Sequence, residues 1–112
     1  MTPVIEDPSR EEKDLREIFM HVSFVVLEIF FNKIRSDMRI DPRHISIYMS
    51  LFQEWTKNNF ESPLILKAKT VMELSKISSR TTFIKCINDL HEYGYIKYVA
   101  SRDHYRGSEI YL

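Results

Sequence analysis

Two short runs of this sequence carry side chains suited to hydrogen bonding with an anionic polymer. The first is Ser78-Ser79-Arg80-Thr81-Thr82, followed by Lys85 and Asn88. Hydroxyl, guanidinium, ammonium and amide groups at the start of a helix reach phosphate oxygens and base edges. The helix N-terminus adds free amides and the positive end of its dipole. The second run, Arg102-Asp103-His104-Tyr105-Arg106, places cations around an aromatic ring in a polar, turn-rich stretch. Arg102, His104 and Arg106 suit a sugar-phosphate backbone or a minor groove, and Tyr105 is placed to stack on a base.

The remaining reactive groups point elsewhere. His21, His44, His91 and His104 are spread along the chain without metal-ligand spacing, and Cys86 is the single thiol that could join them. Cys86 lies among Phe83, Ile87 and Leu90, as a small buried hydrophobe would. Neither Ser78 nor Ser79 has a His-acid pair beside it, and one of the two is expected to be a helix cap. No catalytic residue, metal site, cofactor or small-molecule ligand is expected, and the chain is not read as an enzyme.

The elements that must hold the two polar runs can be placed from caps and periodicity. A short helix spans about Lys69 to Lys76, with Val71 and Leu74 facing inward. Ile77-Ser78-Ser79 is a tight turn without glycine. A second helix runs from about Arg80 to Tyr93 and stops at Gly94. Its buried stripe is Phe83, Ile87 and Leu90, with Cys86 at the edge. Thr81, Lys85, Asn88 and Glu92 lie opposite. Tyr95 to Ala100 and Glu109 to Leu112 have strand propensity and flank the turn-rich segment, which predicts a hairpin. Leu64-Ile65-Leu66 predicts a third short strand pairing with it. Asp89, Glu92 and Asp103 stand near the cationic groups and oppose phosphate.

Upstream, Asp41-Pro42 predicts a helix start. That helix extends to about Asn58, burying Ile45, Tyr48, Met49, Leu51, Phe52 and Trp55. Ser46, Ser50, Gln53 and Lys57 are expected to face away. Residues 1–9 read as a loose arm, with Asp7 or Ser9 as a cap.

A long helix over residues 10–36 carries two apolar arcs. Leu15, Ile18, Phe19, Val22, Val25, Val26, Ile29 and Phe30 form one. Met20, Phe24, Leu27, Phe31 and Ile34 form the other. Asp14, Glu17, His21, Glu28, Asn32 and Arg35 share the narrow polar face. Two apolar faces require two partners. One is expected to be the chain's own domain, and the other a second copy meeting it through Met20, Phe24, Leu27, Phe31 and Ile34. An intramolecular alternative places this helix between the rest of the chain's own elements.

The stretch VMELSKISSRTTFIKCINDLHEYGYIKYV resembles the winged-helix superfamily of DNA-binding domains. More narrowly, DMRIDPRHISIYMSLFQEW, MELSKISSRTT, LHEYGYIKY and GSEIYL are similar to small winged-helix proteins carried on mobile elements of Bacteroides-type bacteria. The resemblance implies a mainly α fold with a small β-hairpin: a winged helix-turn-helix over residues 37–112, preceded by the long helix. It also implies double-stranded DNA as partner, contacted by Ser79, Arg80, Thr81, Thr82, Lys85, Asn88, Arg102, His104, Tyr105 and Arg106. A transcriptional regulator, or a replication or mobilisation accessory of a mobile element, is the expected role. A protein-protein interaction module without DNA binding is the alternative.

Charge and composition are compatible with this. The net charge is zero, but residues 1–62 carry 8 Lys/Arg against 11 Asp/Glu, and residues 63–112 carry 8 against 5. A phosphate backbone responds to the local excess in the second half. A single cysteine and an acidic opening, MTPVIEDPSREEKD, lead us to expect a cytoplasmic bacterial protein without signal peptide or membrane span.

Overall fold

Arg10–Ile34 form one continuous helix, α1. Glu11 and Glu12 lie in its first turn and Lys33 in its last, each complementing the helix dipole. The structure is a computed structural model that describes residues 10–102 and 107–112. The expected N-terminal arm and its cap therefore lie outside the described residues. The chain divides into two units, residues 1–36 and 37–112. Among the described residues, no helix is long and apolar enough to cross a membrane.

Within α1 both apolar arcs contain exposed side chains. On the second arc Met20 is 61% exposed, Phe24 69% and Phe31 41%, while Leu27 and Ile34 are half-buried. On the first arc Leu15, Ile18, Phe19, Val22, Val25 and Ile29 are exposed, and Phe30 is buried. Phe30 meets Phe31 edge-to-face, with ring centroids 5.2 Å apart.

In the second unit, α2 (Pro42–Lys57) begins with Pro42 at its first position and Asp41 as N-cap. The Asp41 carboxylate accepts from the Arg43 N–H at 2.8 Å, and the Asp41 N–H donates to His44 Nδ1 at 3.0 Å. This is a capping box closed by histidine where glutamate or glutamine is usual. Tyr48, Leu51, Phe52 and Trp55 are buried as expected, and Ile45 and Met49 are half-buried. Ile47 and Ser50 are buried as well, and Ser46 is half-buried, against the expectation that both serines face away. The reason is that α2 packs against both other long elements of this unit, so its buried arc is wider than one stripe.

β1 (Leu64–Ile65) leads into α3 (Ala68–Ser75). Val71 is buried, but Leu74 is 45% exposed and Ser75 takes the inward position expected for it. Ser46 Oγ donates to the Ser75 backbone carbonyl at 2.6 Å, which ties α2 to the end of α3. α4 (Arg80–Glu92) follows, capped by Ser79, whose Oγ accepts from the Thr82 N–H at 3.2 Å. Phe83, Cys86, Ile87 and Leu90 are fully buried, which places Cys86 inside the core, covered by α2.

Gly94 ends α4 in the left-handed region, at φ 84°. The Tyr95 N–H reaches the Leu90 carbonyl at 2.9 Å and the Gly94 N–H reaches His91, a Schellman closure. β2 (Lys97–Val99) and β3 (Glu109–Tyr111) form the hairpin. β3 is central in a three-stranded antiparallel sheet of order β1-β3-β2. Ile110, fully buried, pairs with Leu64 on one side and Tyr98 on the other. The unit is thus mainly helical with one small antiparallel sheet.

The turn between α3 and α4 manages without glycine because Lys76 itself adopts φ 62°, ψ 32°. An L-residue in that region costs roughly 1–2 kcal/mol. Lys76→Gly is therefore expected to stabilise the protein by up to about 1 kcal/mol, after the added freedom of the unfolded chain is subtracted. Urea denaturation checks this, and a lower midpoint would refute it.

Candidate nucleic-acid interface

The described residues singled out in sequence lie at two places in the second unit, along α4 and just beyond β2. Arg80, Thr81, Lys85 and Asn88 are exposed, and Thr82 is half-buried. Thr81, Lys85 and Asn88 recur at helical spacing on the side of α4 opposite Phe83, Ile87 and Leu90. All three are exposed, as a polar stripe opposite a buried one is expected to be. Ser79 spends its acceptor on the cap, which fixes the entry angle of the chain into α4. Arg102 is exposed where the hairpin loop leaves β2. His104, Tyr105 and Arg106 lie outside the described residues.

The hairpin is fastened to α4 and to itself. His91 Nδ1 accepts from the Tyr98 N–H at 3.0 Å, and Ser108 Oγ accepts from the Ser101 N–H at 3.2 Å. Gly107 is at φ 73°, a conformation strained for other residues, and a Cβ there would meet Ile65 Cγ2 at 2.9 Å, so the Ile65 side chain would have to shift to admit one. These contacts hold the base of the loop that carries Arg102.

Asp89 stands in α4 as a negative charge, yet it turns inward. Its Oδ2 lies 2.9 Å from His44 Nε2 and 3.1 Å from Lys85 Nζ, and its side chain is 14% exposed. Burial pushes the Asp89 carboxyl up, but hydrogen bonds from His44 and Lys85 outweigh it and hold it below its usual range. The same pairing, first through the hydrogen bond, raises the Lys85 ammonium above its ordinary value. Lys85 is 65% exposed, so its cation remains at the surface while Asp89 is partly neutralised.

His44, Cys86 and Asp89 bring three potential metal-ligand atoms within 4.8 Å of one another. His44 and Asp89 are already committed to hydrogen bonds. Nδ1 of His44 accepts from the Asp41 N–H, so a neutral ring carries its proton on Nε2 and donates it to Asp89. A cation on Nε2 would move that proton to Nδ1, against a backbone donor, whereas metal-bound histidines donate that proton to an acceptor. Burial also pushes the Cys86 thiol up, away from the thiolate a metal needs. The cluster is a buried clasp between α2 and α4. The sequence pattern does not report it because His44 and Asp89 are 45 positions apart. The available local signal was a histidine at the third helical position after Asp41.

A second polar cluster fastens the exit of α4 to the approach to α2. Arg39 pairs with Asp37 at 2.8 Å and stacks on Tyr93, 4.1 Å from the ring centroid. Tyr95 Oη donates to Asp37 Oδ2 at 2.7 Å. The Arg39 hydrogen bonds hold the Asp37 carboxyl far below its ordinary range, and burial followed by the Asp37 hydrogen bond pushes Tyr95 up to about 12. Arg43 lowers Asp41 to about 2.

Asp37, Asp41 and Asp89 are all depressed in the folded state, so the unfolded chain binds protons first as pH falls. Their stabilisation is complete above the unfolded aspartate value of about 3.9 and is lost below it. We expect a thermal midpoint that is insensitive to these groups above about pH 5 and declines from about pH 4 toward pH 2. Asp41→Asn should flatten part of that decline. A midpoint unchanged between pH 4 and pH 2 would contradict the pairing.

Lys69 and Lys76 were not singled out in sequence. With Arg80, Met72, Glu73, Ile77 and Ser78 they line an open notch beside the start of α4. Lys76 lies in the α3–α4 turn and Lys69 in the first turn of α3, so three cations share the notch with one acid, Glu73. In comparison with known proteins, no family model, no curated protein and no solved structure matches this chain.

Proposed function

We propose that residues 37–112 are a winged-helix module that binds double-stranded DNA, with α4 entering the major groove and the β2–β3 loop lying along the backbone. The observation that carries the reading is the exposed polar stripe of α4, Thr81-Lys85-Asn88, opening at Arg80 beside the Lys76 turn. Arg102 leaves the sheet that follows it. Ser79, Thr82, His104, Tyr105 and Arg106 complete the proposed contact set, with Lys69 and Lys76 on phosphate. The inward turn of Asp89 supports the assignment, since it removes one repulsive charge from the contact face.

The chain acts as a homodimer joined through α1, with Met20, Phe24, Leu27, Phe31 and Ile34 at the interface. A two-fold dimer presents two reading helices to a palindromic site. Its role is that of a transcriptional regulator, or of a replication or mobilisation accessory, on a mobile element in the bacterial cytoplasm. Neither a catalytic step nor a cofactor is part of this reading.

The test is selection of genomic duplex fragments, followed by affinity measurements across salt. Log affinity should fall linearly with log salt, by about 0.9 for each phosphate neutralised. Absence of duplex binding at low salt would leave the winged fold serving protein partners.

A further inference from the structure

We propose that the chamber between the end of α2, β1 and the start of α3 binds a small amphipathic carboxylate, and that its occupancy adjusts the α3–α4 pair. The cavity measures about 310 Å³, at the small end of ligand sites, which span about 300–1,000 Å³. Leu51, Leu64, Val71 and Ile110 form its floor, and all four are core side chains. An apolar body entering it reaches hydrocarbon already out of water.

The rim is charged. Lys57 and Lys67 face the same space as Glu54. Among the described residues neither lysine has a carboxylate within ion-pair distance. The rim therefore keeps one net positive charge. α3 starts at that rim, with Lys67 as its N-cap, no side-chain cap and no acid in its first turn. The positive end of the α3 dipole lies on the side of Lys67 and adds to the attraction for an anion. One negative charge balances the rim, so a monoanionic carboxylate fits it better than a phosphate dianion.

The floor connects the chamber to the rest of the unit. Val71 is one of the two buried residues of α3, and Leu64 pairs with Ile110 across β1 and β3. Filling the space bears on α3, which packs on α2 together with α4, and on β3, which pairs with β2 in the hairpin. Binding stands on the cavity alone, whereas the effect on DNA rests on the function proposed above.

Octanoate is the probe. Titrated into the full-length ¹⁵N-labelled protein, it should shift the amides between Leu64 and Val71 saturably. Octylamine, with the same tail and the opposite charge, and octyl phosphate should each bind about tenfold more weakly or less. In a Lys57→Glu, Lys67→Glu variant, whose changes are at exposed positions, octanoate should weaken by about tenfold. Absent shifts at millimolar octanoate, equal binding of octanoate and octylamine, or unchanged affinity in the variant each overturn the site. DNA affinity with and without saturating octanoate reads the coupling, and no change overturns the regulatory half. A protein that binds octanoate but no duplex refutes the DNA reading and leaves the carboxylate site standing.

Discussion

A chain carrying Arg80→Ala, Lys85→Ala, Arg102→Ala and Arg106→Ala together should bind its duplex site at least about a hundredfold more weakly than wild type. A side chain that reads a base is worth about 1–3 kcal/mol, and 1.4 kcal/mol is a tenfold change in affinity. Arg80 and Lys85 contribute at that level if they reach base edges. Arg102 and Arg106 contribute through phosphate, so their loss weakens all sequences alike and flattens the salt dependence by about one unit each. Removing Lys85 has a second effect, because it takes away one of the two partners of Asp89. Asp89→Asn in the Lys85→Ala background should recover part of the loss. Arg80, Lys85 and Arg102 are exposed, so the thermal midpoint should stay close to wild type. Undiminished binding by the quadruple variant would remove this face from consideration.

Phe24→Glu with Phe31→Glu should convert the protein from a dimer to a monomer of 13.4 kDa in sedimentation equilibrium at micromolar concentration. Burying a large apolar side chain is worth about 1.5–3 kcal/mol relative to exposure. Met20, Phe24 and Phe31 are exposed on one arc of α1, forming a patch that a monomer in water seldom tolerates. Two carboxylates at its centre place charge where the partner's phenyl rings would lie. The first arc is also exposed along Leu15, Ile18, Val22, Val25 and Ile29, which gives a control. Ile18→Glu with Val25→Glu should leave the dimer intact. The reverse outcome assigns the interface to the first arc. A wild-type chain that sediments as a monomer refutes the dimer altogether.

Helix limits and caps were legible in the sequence because local chemistry sets them. Asp41-Pro42, Ser79 and Gly94 each act within one turn of their own position, and each lies where its residue type predicts. The strand pairing of Leu64 with the C-terminal hairpin was legible from β propensity and turn spacing. What periodicity could not deliver was the second buried side of α2. A single stripe describes a helix with one neighbour, and α2 has two, which buries Ile47 and Ser50 and draws Ser46 onto Ser75. Leu74 fails for the related reason that an eight-residue helix offers too few turns to define its inward side. The candidate face on α4 was readable because it lies on one helix. The His44–Asp89 clasp behind it joins two, and no pattern within either reports it.

The position of β3 sets an order of events during folding. Among the described residues both other strands pair with this one, and it lies far along the chain from β1. Pairing Ile65 with Glu109 closes a long loop, whereas α2, α3 and α4 each form from contacts within a few turns. The helices are therefore expected to form before the sheet, with β3 joining the segments that become β1 and β2 afterwards. Register should be settled late, when Ile110 enters the core. A slow folding step should be detected in the hairpin while α4 is already native.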